Sequence, residues 1–151
     1  MALIERILVP TDFSPCAQRA LTYATELARG MGAALVLLHV YQPPTVYLPE
    51  GVWTMPVTDA DMAVEIRKGL DRLVAELGEA GLPAVSAVVR DGDAAHEIVD
   101  AAAAERADLV VMGTHGRGPV KHLLLGSVAE KVVRRCGCPV LTVGPHVDVP
   151  A

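Results

Sequence analysis

Short runs of consecutive apolar residues alternate along this chain with longer stretches in which apolar residues recur every three or four positions. The short runs are typical of strands buried on both faces, and the longer stretches are typical of amphipathic helices. Strands are predicted at residues 4–9, 34–40, 84–89, 109–112 and 140–143. Helices are predicted after Ser14, over 58–77, after Asp93 and over 128–135. This alternation predicts an α/β fold, with an open parallel sheet covered by helices on both faces.

Polar side chains that can accept a backbone hydrogen bond mark the expected helix starts. Ser14, which precedes Pro15, and Asp93 fit single N-caps. Two capping boxes are also predicted, Thr58 with Asp61 and Ser127 with Glu130.

Residues 41–57 interrupt the alternation of strands and helices. Their four prolines are Pro43, Pro44, Pro49 and Pro56. Because proline fits neither a helix interior nor a central strand, we predict a flexible, proline-rich loop at the carboxyl end of the second strand. Tyr47 and Trp53 leave two roles open for this loop, a flap over a ligand or a surface loop packed on the domain.

The composition narrows both the class of fold and the class of partner. A chain of 151 residues fits one domain over 1–151, and 52% hydrophobic residues supply its core. Only 3% of residues are aromatic and the formal net charge is -5, which argues against nucleic acid as a partner. No apolar run approaches the ~20 residues that span a bilayer, so we expect no membrane partner. The chain begins without a secretory signal and has three cysteines, so we expect a cytoplasmic location.

Three glycines follow the predicted fourth strand in the pattern Gly113, two residues, Gly116, nine residues, Gly126-Ser127. Glycine lets the backbone turn sharply and lets an anion approach the amides, and a helix start adds free N–H groups. Ser127 adds a hydroxyl at that point. The pattern indicates a phosphate site, with glycines that serve only as turn residues as the alternative. It is not a Walker P-loop, because Gly-Lys-Ser/Thr occurs nowhere in the chain.

Asp12 and Val40 follow or end the first two strands, at the edge where parallel sheets bind ligands. Asp12 fits a turn or capping role, a ribose contact, or a metal ion held on phosphates. Val40 can offer its backbone groups to a base. We interpret Cys136-Gly137-Cys138 as structural rather than metal-binding or redox-active, because no further ligands accompany it. No Ser/His/Asp order or carboxylate pair indicates acid–base catalysis.

Motifs in five places form one combined pattern. They are Pro10-Thr11-Asp12-Phe13-Ser14, His39-Val40, Met112-Gly113-Thr114-His115-Gly116-Arg117-Gly118, Gly126-Ser127-Val128-Ala129 and Cys138-Pro139-Val140. Together they resemble the universal stress protein family, and the resemblance covers essentially the whole chain. It implies a Rossmann-like fold of the adenine nucleotide alpha hydrolase-like type, with five strands in the order 3-2-1-4-5. Members of this family with the complete glycine signature bind ATP, and this sequence carries the signature complete.

The resemblance implies where each part of ATP lies. Asp12 meets the ribose or the adenine, and Val40 meets the adenine through its backbone. The residues implied to shape the walls around the nucleoside are Pro10, Thr11, Met112 and Gly113.

The resemblance places the phosphates at the end of the glycine pattern. Gly116 and Arg117 approach them, and Gly126, Ser127 and Val128 hold them by amides and a hydroxyl. The implied cofactor is ATP with Mg²⁺ or Mn²⁺ on its phosphates. The implied assembly is a homodimer through the fifth strand, residues 140–143.

Three classes of function follow from this interpretation. In the first, ATP stabilises one conformation of a stress-response signalling module, and a partner protein reads it. The second is a slow ATPase or a self-phosphorylating protein, which ranks lower because only Asp12 and Arg117 are available for phosphoryl transfer. The third is a dimeric scaffold that works without a nucleotide, and the complete glycine signature disfavours it.

Overall fold

The computed structural model describes residues 2–42, 45–54, 59–116 and 125–149. Its strands are β1 (Arg6–Pro10), β2 (Ala34–Tyr41), β3 (Thr45–Leu48), β4 (Gly51–Thr54), β5 (Val85–Asp91), β6 (Leu109–Gly113) and β7 (Val140–Val143). Its helices are α1 (Pro15–Met31), α2 (Asp59–Glu79), α3 (Ala94–Ala104) and α4 (Ser127–Arg135).

Five strands form a parallel sheet in the order β5-β2-β1-β6-β7. Strands β3 and β4 pair separately as an antiparallel hairpin. Counted without that hairpin, the sheet has the order 3-2-1-4-5, so the predicted fold is confirmed.

The central strands are buried on both faces, with alternate residues pointing to opposite sides of the sheet. Ile7 and Val9 belong to one hydrophobic core with α1 and α2, whereas Leu8 belongs to a second core with α3 and α4. All three side chains are fully buried. This double burial explains why β1 appears in the sequence as a continuous apolar run.

The stretch 41–57 contains regular structure that the sequence interpretation missed. A loop was predicted, but Thr45–Leu48 and Gly51–Thr54 form the hairpin β3–β4. Gly51, the first residue of β4, has φ 137°, a conformation that favours glycine where the chain leaves the turn between the two strands. The prolines did not prevent pairing, because Pro49 lies in that turn and the hairpin is separate from the main sheet. Residues 43–44 and 55–58 of this stretch lie outside the described residues.

Two of the predicted helix caps are present and one is wrong. The Ser14 hydroxyl accepts from the Ala17 N–H at 3.2 Å, and the Asp93 carboxylate accepts from the His96 N–H at 3.0 Å. Ser127 is not an N-cap, because Gly126 holds the extended N-cap conformation and Ser127 is already the first helical residue. The predicted box of Thr58 with Asp61 depends on Thr58, which lies outside the described residues.

Of the helices in the described ranges, none combines the length and the apolar character needed to cross a membrane.

Candidate functional site

A cavity of about 350 Å³ opens at the carboxyl end of the main sheet. It lies where β1, β2 and β6 end and where α4 begins. The strand that follows β1 in the chain, β2, pairs on one side of β1, and the later strand β6 pairs on its other side. This reversal of strand order is the point where open α/β sheets bind ligands.

The structure brings the sequence-predicted site residues together around this cavity, apart from Arg117, which lies outside the described residues. The predicted residues that line it are Pro10, Thr11, Asp12, Val40, Met112, Gly113, Gly116, Gly126, Ser127 and Val128. Lining residues that the interpretation did not include are Ala17, Leu38, Ala94, Ile98, Thr114, His115 and Ala129. The cavity has two chemically different sides, which we call the apolar wall (Leu38, Val40, Ala94, Ile98 and Met112) and the amide wall (Thr114–Gly116 and Gly126–Val128).

The backbone of Val40 leaves hydrogen-bonding groups free at the apolar wall. The Leu38 carbonyl accepts from the Thr11 N–H at 2.8 Å, so it points toward β1. Alternate residues of a strand direct their backbone groups to the same neighbour, so the N–H and C=O of Val40 also face that side. Pairing of β1 with β2 ends at Pro10 and Leu38. On the side of β1, the N–H and C=O of Val40 therefore have no backbone partner in the described part of the chain. Val40 borders the cavity.

The turn after β1 holds the Asp12 carboxylate between the two walls. One carboxylate oxygen accepts from the Ser14 N–H at 2.9 Å, and the Thr11 hydroxyl accepts from the Phe13 N–H at 3.1 Å. The other oxygen lies close to the amide wall, since a β-carbon added to Gly116 would be 2.8 Å from it. Asp12 can therefore keep its turn and still present one acceptor to a ligand.

Phe13 adopts a conformation that aromatic residues rarely adopt, with φ 61°. Its ring packs against the His39 ring with centroids 5.0 Å apart, and His39 Nδ1 lies 2.7 Å from the Thr11 carbonyl oxygen. His39 therefore helps to fix the turn from the face of the sheet opposite Val40, the next residue in β2. Strained backbone of this kind concentrates at functional sites.

Close packing alone requires glycine at two positions of the pattern. A β-carbon on Gly113 would lie 2.8 Å from the Cys16 sulfur and 3.1 Å from the Cys16 carbonyl carbon. A β-carbon on Gly126 would lie 2.7 Å from the Thr114 carbonyl oxygen, which accepts from the Gly126 N–H. Close packing, which differs from the turn role considered as the alternative, therefore explains Gly113 and Gly126 without an anion. Evidence for an anion site must therefore come from hydrogen-bond donors that face the cavity and not from the glycines themselves.

Those groups are the amides at the start of α4. The first N–H groups of a helix have no intrahelical acceptor. No side chain in the described ranges caps them, because the N-cap is Gly126. Ser127 is exposed, and its hydroxyl has no partner among the described residues. A free amide row, a hydroxyl and the positive end of the helix dipole together form an anion-binding arrangement.

The described lining residues include no lysine or arginine, and Asp12 is the one carboxylate among them. An anion bound there would be held by amides and hydroxyls rather than by a lysine or arginine side chain. Elsewhere in the described ranges, ligand atoms of His96, Glu97 and Asp100 lie within 4.8 Å of one another. We assign no metal to that exposed group, because His96 pairs with Asp100 and Glu97 pairs with Arg90, each at 3.2 Å.

Sequence reasoning missed the residues on α3 for a physical reason. Ala94 and Ile98 lie in a helix from a distant part of the chain and look like ordinary core residues, so only the fold shows their position. Thr114 and His115 lie inside the glycine pattern, so its spacing could have identified them.

Known proteins with similar sequences and folds agree with this architecture. The family model for the universal stress protein family matches residues 4–144. A universal stress protein from Thermus aquaticus, encoded in the QAH/OAS sulfhydrylase 3′ region, is 36% identical over 141 residues, 93% of this chain and 99% of that protein. The structure of UspA from Lactobacillus plantarum has a TM-score of 0.77 and 25% identity, covering 93% of this chain and 97% of that chain.

A second similar structure was solved with a ligand. It is a universal stress protein in complex with cAMP, with a TM-score of 0.67 and 27% identity. The similarity covers 94% of this chain and 98% of that chain. With the family match spanning nearly the whole chain, this protein belongs to the universal stress protein family.

Proposed function

We propose that this protein binds an adenine nucleotide, ATP, in the cavity at the carboxyl end of the sheet and acts as a nucleotide-dependent stress-response module. The observation that carries the proposal is the pairing of two unlike walls in one cavity. An apolar wall with free backbone groups at Val40 suits a flat, polar-edged base, and the amide wall suits phosphates.

The adenine lies against the apolar wall in this proposal. The N–H and C=O of Val40 match the alternating acceptor and donor on the edge of adenine, while Ile98 and Met112 contact its faces. The cAMP complex of a related universal stress protein supports an adenine nucleotide as the ligand class.

The ribose lies near Asp12, whose second carboxylate oxygen accepts from a ribose hydroxyl. A carboxylate at this position favours a neutral hydroxyl over a phosphate, since like charges repel. The phosphates therefore extend away from Asp12 toward Ser127 and Val128. We propose that Arg117 also approaches them.

We propose that a divalent ion, Mg²⁺ or Mn²⁺, accompanies the phosphates. The described lining residues offer no lysine or arginine, so part of the phosphate charge would be offset by such an ion. This arrangement favours holding ATP over rapid hydrolysis, because fast phosphoryl transfer also needs a positioned lysine or arginine and a base.

We propose that two copies associate through β7. Among the described strands it pairs only with β6, so its other edge is available to a second copy. From the composition of the chain we also propose a cytoplasmic location. We propose neither nucleic acid nor a membrane as a partner.

A thermal-shift experiment tests the proposed ligand. The melting temperature is measured with ATP and Mg²⁺, with GTP and Mg²⁺, and with Mg²⁺ alone. At about a hundred times the dissociation constant, ATP adds about 2.7 kcal/mol of stability, which raises the melting temperature by roughly 5–10 °C. GTP is expected to produce a smaller shift, because guanine presents the opposite groups to Val40. An equal shift with both nucleotides would argue against base recognition at Val40.

A further inference from the structure

Two cysteines lie together at the end of the sheet opposite the cavity. Cys136 is the C-cap that follows α4, and its N–H donates to the Val132 carbonyl at 2.9 Å. Cys138 immediately precedes Pro139, whose carbonyl accepts from the Val110 N–H where β6 begins to pair with β7. Both cysteines are half-buried, so reagents in solution can reach them. Neither borders the nucleotide cavity.

The two sulfur atoms are close enough to react with each other. They lie 3.6 Å apart, in contact through a thiol hydrogen bond. A disulfide needs about 2.05 Å, so closure requires the sulfurs to approach by roughly 1.5 Å. The third thiol, Cys16, is buried and donates to the Val143 carbonyl at 3.5 Å.

Gly137, between the two cysteines, is not required by the reduced fold. A β-carbon added to it would meet no atom within 4 Å, and its φ lies outside the left-handed region. Glycine nevertheless has the widest backbone freedom of any residue. That freedom is useful for closing a small ring across three residues.

We propose that Cys136 and Cys138 are a thiol-modification site that forms a reversible intramolecular disulfide, with a low-molecular-weight disulfide such as oxidised glutathione as the oxidant and Gly137 as the residue that permits closure. This assigns chemistry to the Cys-x-Cys motif that the sequence interpretation considered structural. It does not rest on nucleotide binding.

The exchange proceeds in two balanced steps. The Cys136 thiolate attacks one sulfur of the small disulfide, forms a mixed disulfide and expels one small thiolate, which takes up the proton that Cys136 lost. Cys138 then loses its proton to solvent, attacks the Cys136 sulfur and expels the second small thiolate, which takes a proton from solvent. The protein loses two electrons and two protons, and the small disulfide becomes two thiols.

The order of attack follows from the surroundings of the two thiols. Burial, the hydrogen bond to Cys136, and the charges of Cys136 and Asp108 raise the pKa of Cys138 to about 11. Since the thiolate is the reactive form of a cysteine, a raised pKa makes Cys138 the slower of the two to attack, and we assign the first attack to Cys136.

The test uses the full chain in buffers of reduced and oxidised glutathione, followed by acid quenching, alkylation and intact mass measurement. The expected product has lost two hydrogens and retains one alkylatable thiol, which peptide mapping assigns to Cys16. Reducing agent restores all three thiols. A protein that keeps its three thiols when glutathione is mostly oxidised would overturn the proposal, as would a product linked only between two chains.

Matched variants separate the two steps. Cys138→Ser is expected to stop at a stable glutathione adduct on Cys136, and Cys16→Ser is expected to close like the parent. Gly137→Ala is expected to keep the melting temperature of the reduced parent but to close at least several-fold more slowly. Closure of Gly137→Ala at the parent rate would overturn the role given to Gly137. Closure in Cys138→Ser would overturn the assigned pair.

Discussion

The apolar wall and the amide wall enclose the same cavity but are constructed differently. The amide wall comes from two short pieces near the end of the chain, the loop after β6 and the start of α4, and it presents backbone groups. The apolar wall joins residues of β2, α3 and β6 and presents side chains that resemble any buried core. In the amide wall the exact backbone position matters, whereas in the apolar wall the shape of the cavity matters. Substitutions should therefore affect stability and binding in different proportions on the two sides.

The largest effect is expected at Gly126 in the amide wall. In Gly126→Val the added carbon meets the Thr114 carbonyl oxygen, so the loop or α4 must move. Overpacking of this kind should lower the free energy of unfolding by about 2–3 kcal/mol, and ATP binding should be lost with the displaced wall.

Urea unfolding and ATP titration measure both consequences. Gly30→Val is the matched control, because a β-carbon there meets no atom within 4 Å. Its stability and ATP affinity should remain near those of the parent. A Gly126→Val variant as stable as the parent would contradict the packing role of Gly126.

A substitution on the apolar wall should affect binding without the same loss of stability. Ala94→Leu places a larger side chain at the first position of α3, where it borders the cavity. ATP affinity should fall more than tenfold, a loss of about 1.4 kcal/mol or more. Inorganic tripolyphosphate, which has no base, should bind equally to parent and variant.

Calorimetric titration of both ligands checks this separation, with the exposed Ala104→Leu in the same helix as the control. If Ala94→Leu binds ATP as the parent does, the base does not lie against α3.

A smaller effect is expected where the two walls meet. Asp12→Asn keeps an oxygen for the Ser14 N–H but removes the charge from the group proposed to accept from the ribose. We expect a loss of about 1 kcal/mol, or roughly fivefold in ATP affinity. The parent should also prefer ATP to 2′-deoxy- or 3′-deoxy-ATP, and the variant should show less preference. Tighter ATP binding by Asp12→Asn would instead indicate that the carboxylate faces the phosphates.

The smallest effect is expected from Ser127→Ala. Loss of one hydroxyl contact to a phosphate should cost about 0.5–1 kcal/mol of binding free energy. The free energy of unfolding should change by less than about 0.5 kcal/mol, because Gly126 and not Ser127 is the N-cap. A stability loss of about 1 kcal/mol in chemical denaturation would mean that Ser127 caps α4 after all.

The fold could be predicted from the sequence because its signals are local and repeated. Continuous apolar runs such as that of β1 indicate strands buried on both faces, and Ser14 and Asp93 mark helix starts that the structure confirms. The hairpin β3–β4 could not be predicted in this way, since its prolines indicate a loop and its pairing is independent of the main sheet.

The part of the site formed by one short stretch of sequence could be predicted, whereas the part formed by distant segments could not. Gly116, Gly126 and Ser127 form one spaced pattern, so the amide wall was identified as a unit. Ala94 and Ile98 border the cavity only because α3 packs beside β2, and no feature near them in the sequence marks a site. The capping box at Ser127 was wrong by one residue, because an extended glycine can serve as N-cap without a side chain.

The most direct test of the central claim, that both walls hold one nucleotide, is a calorimetric comparison of ATP, adenosine and tripolyphosphate with Mg²⁺ present. The two-walled cavity predicts one ATP bound per chain, with an affinity higher than that of either fragment. Absence of ATP binding at millimolar concentration, or ATP affinity no higher than that of tripolyphosphate, would contradict it.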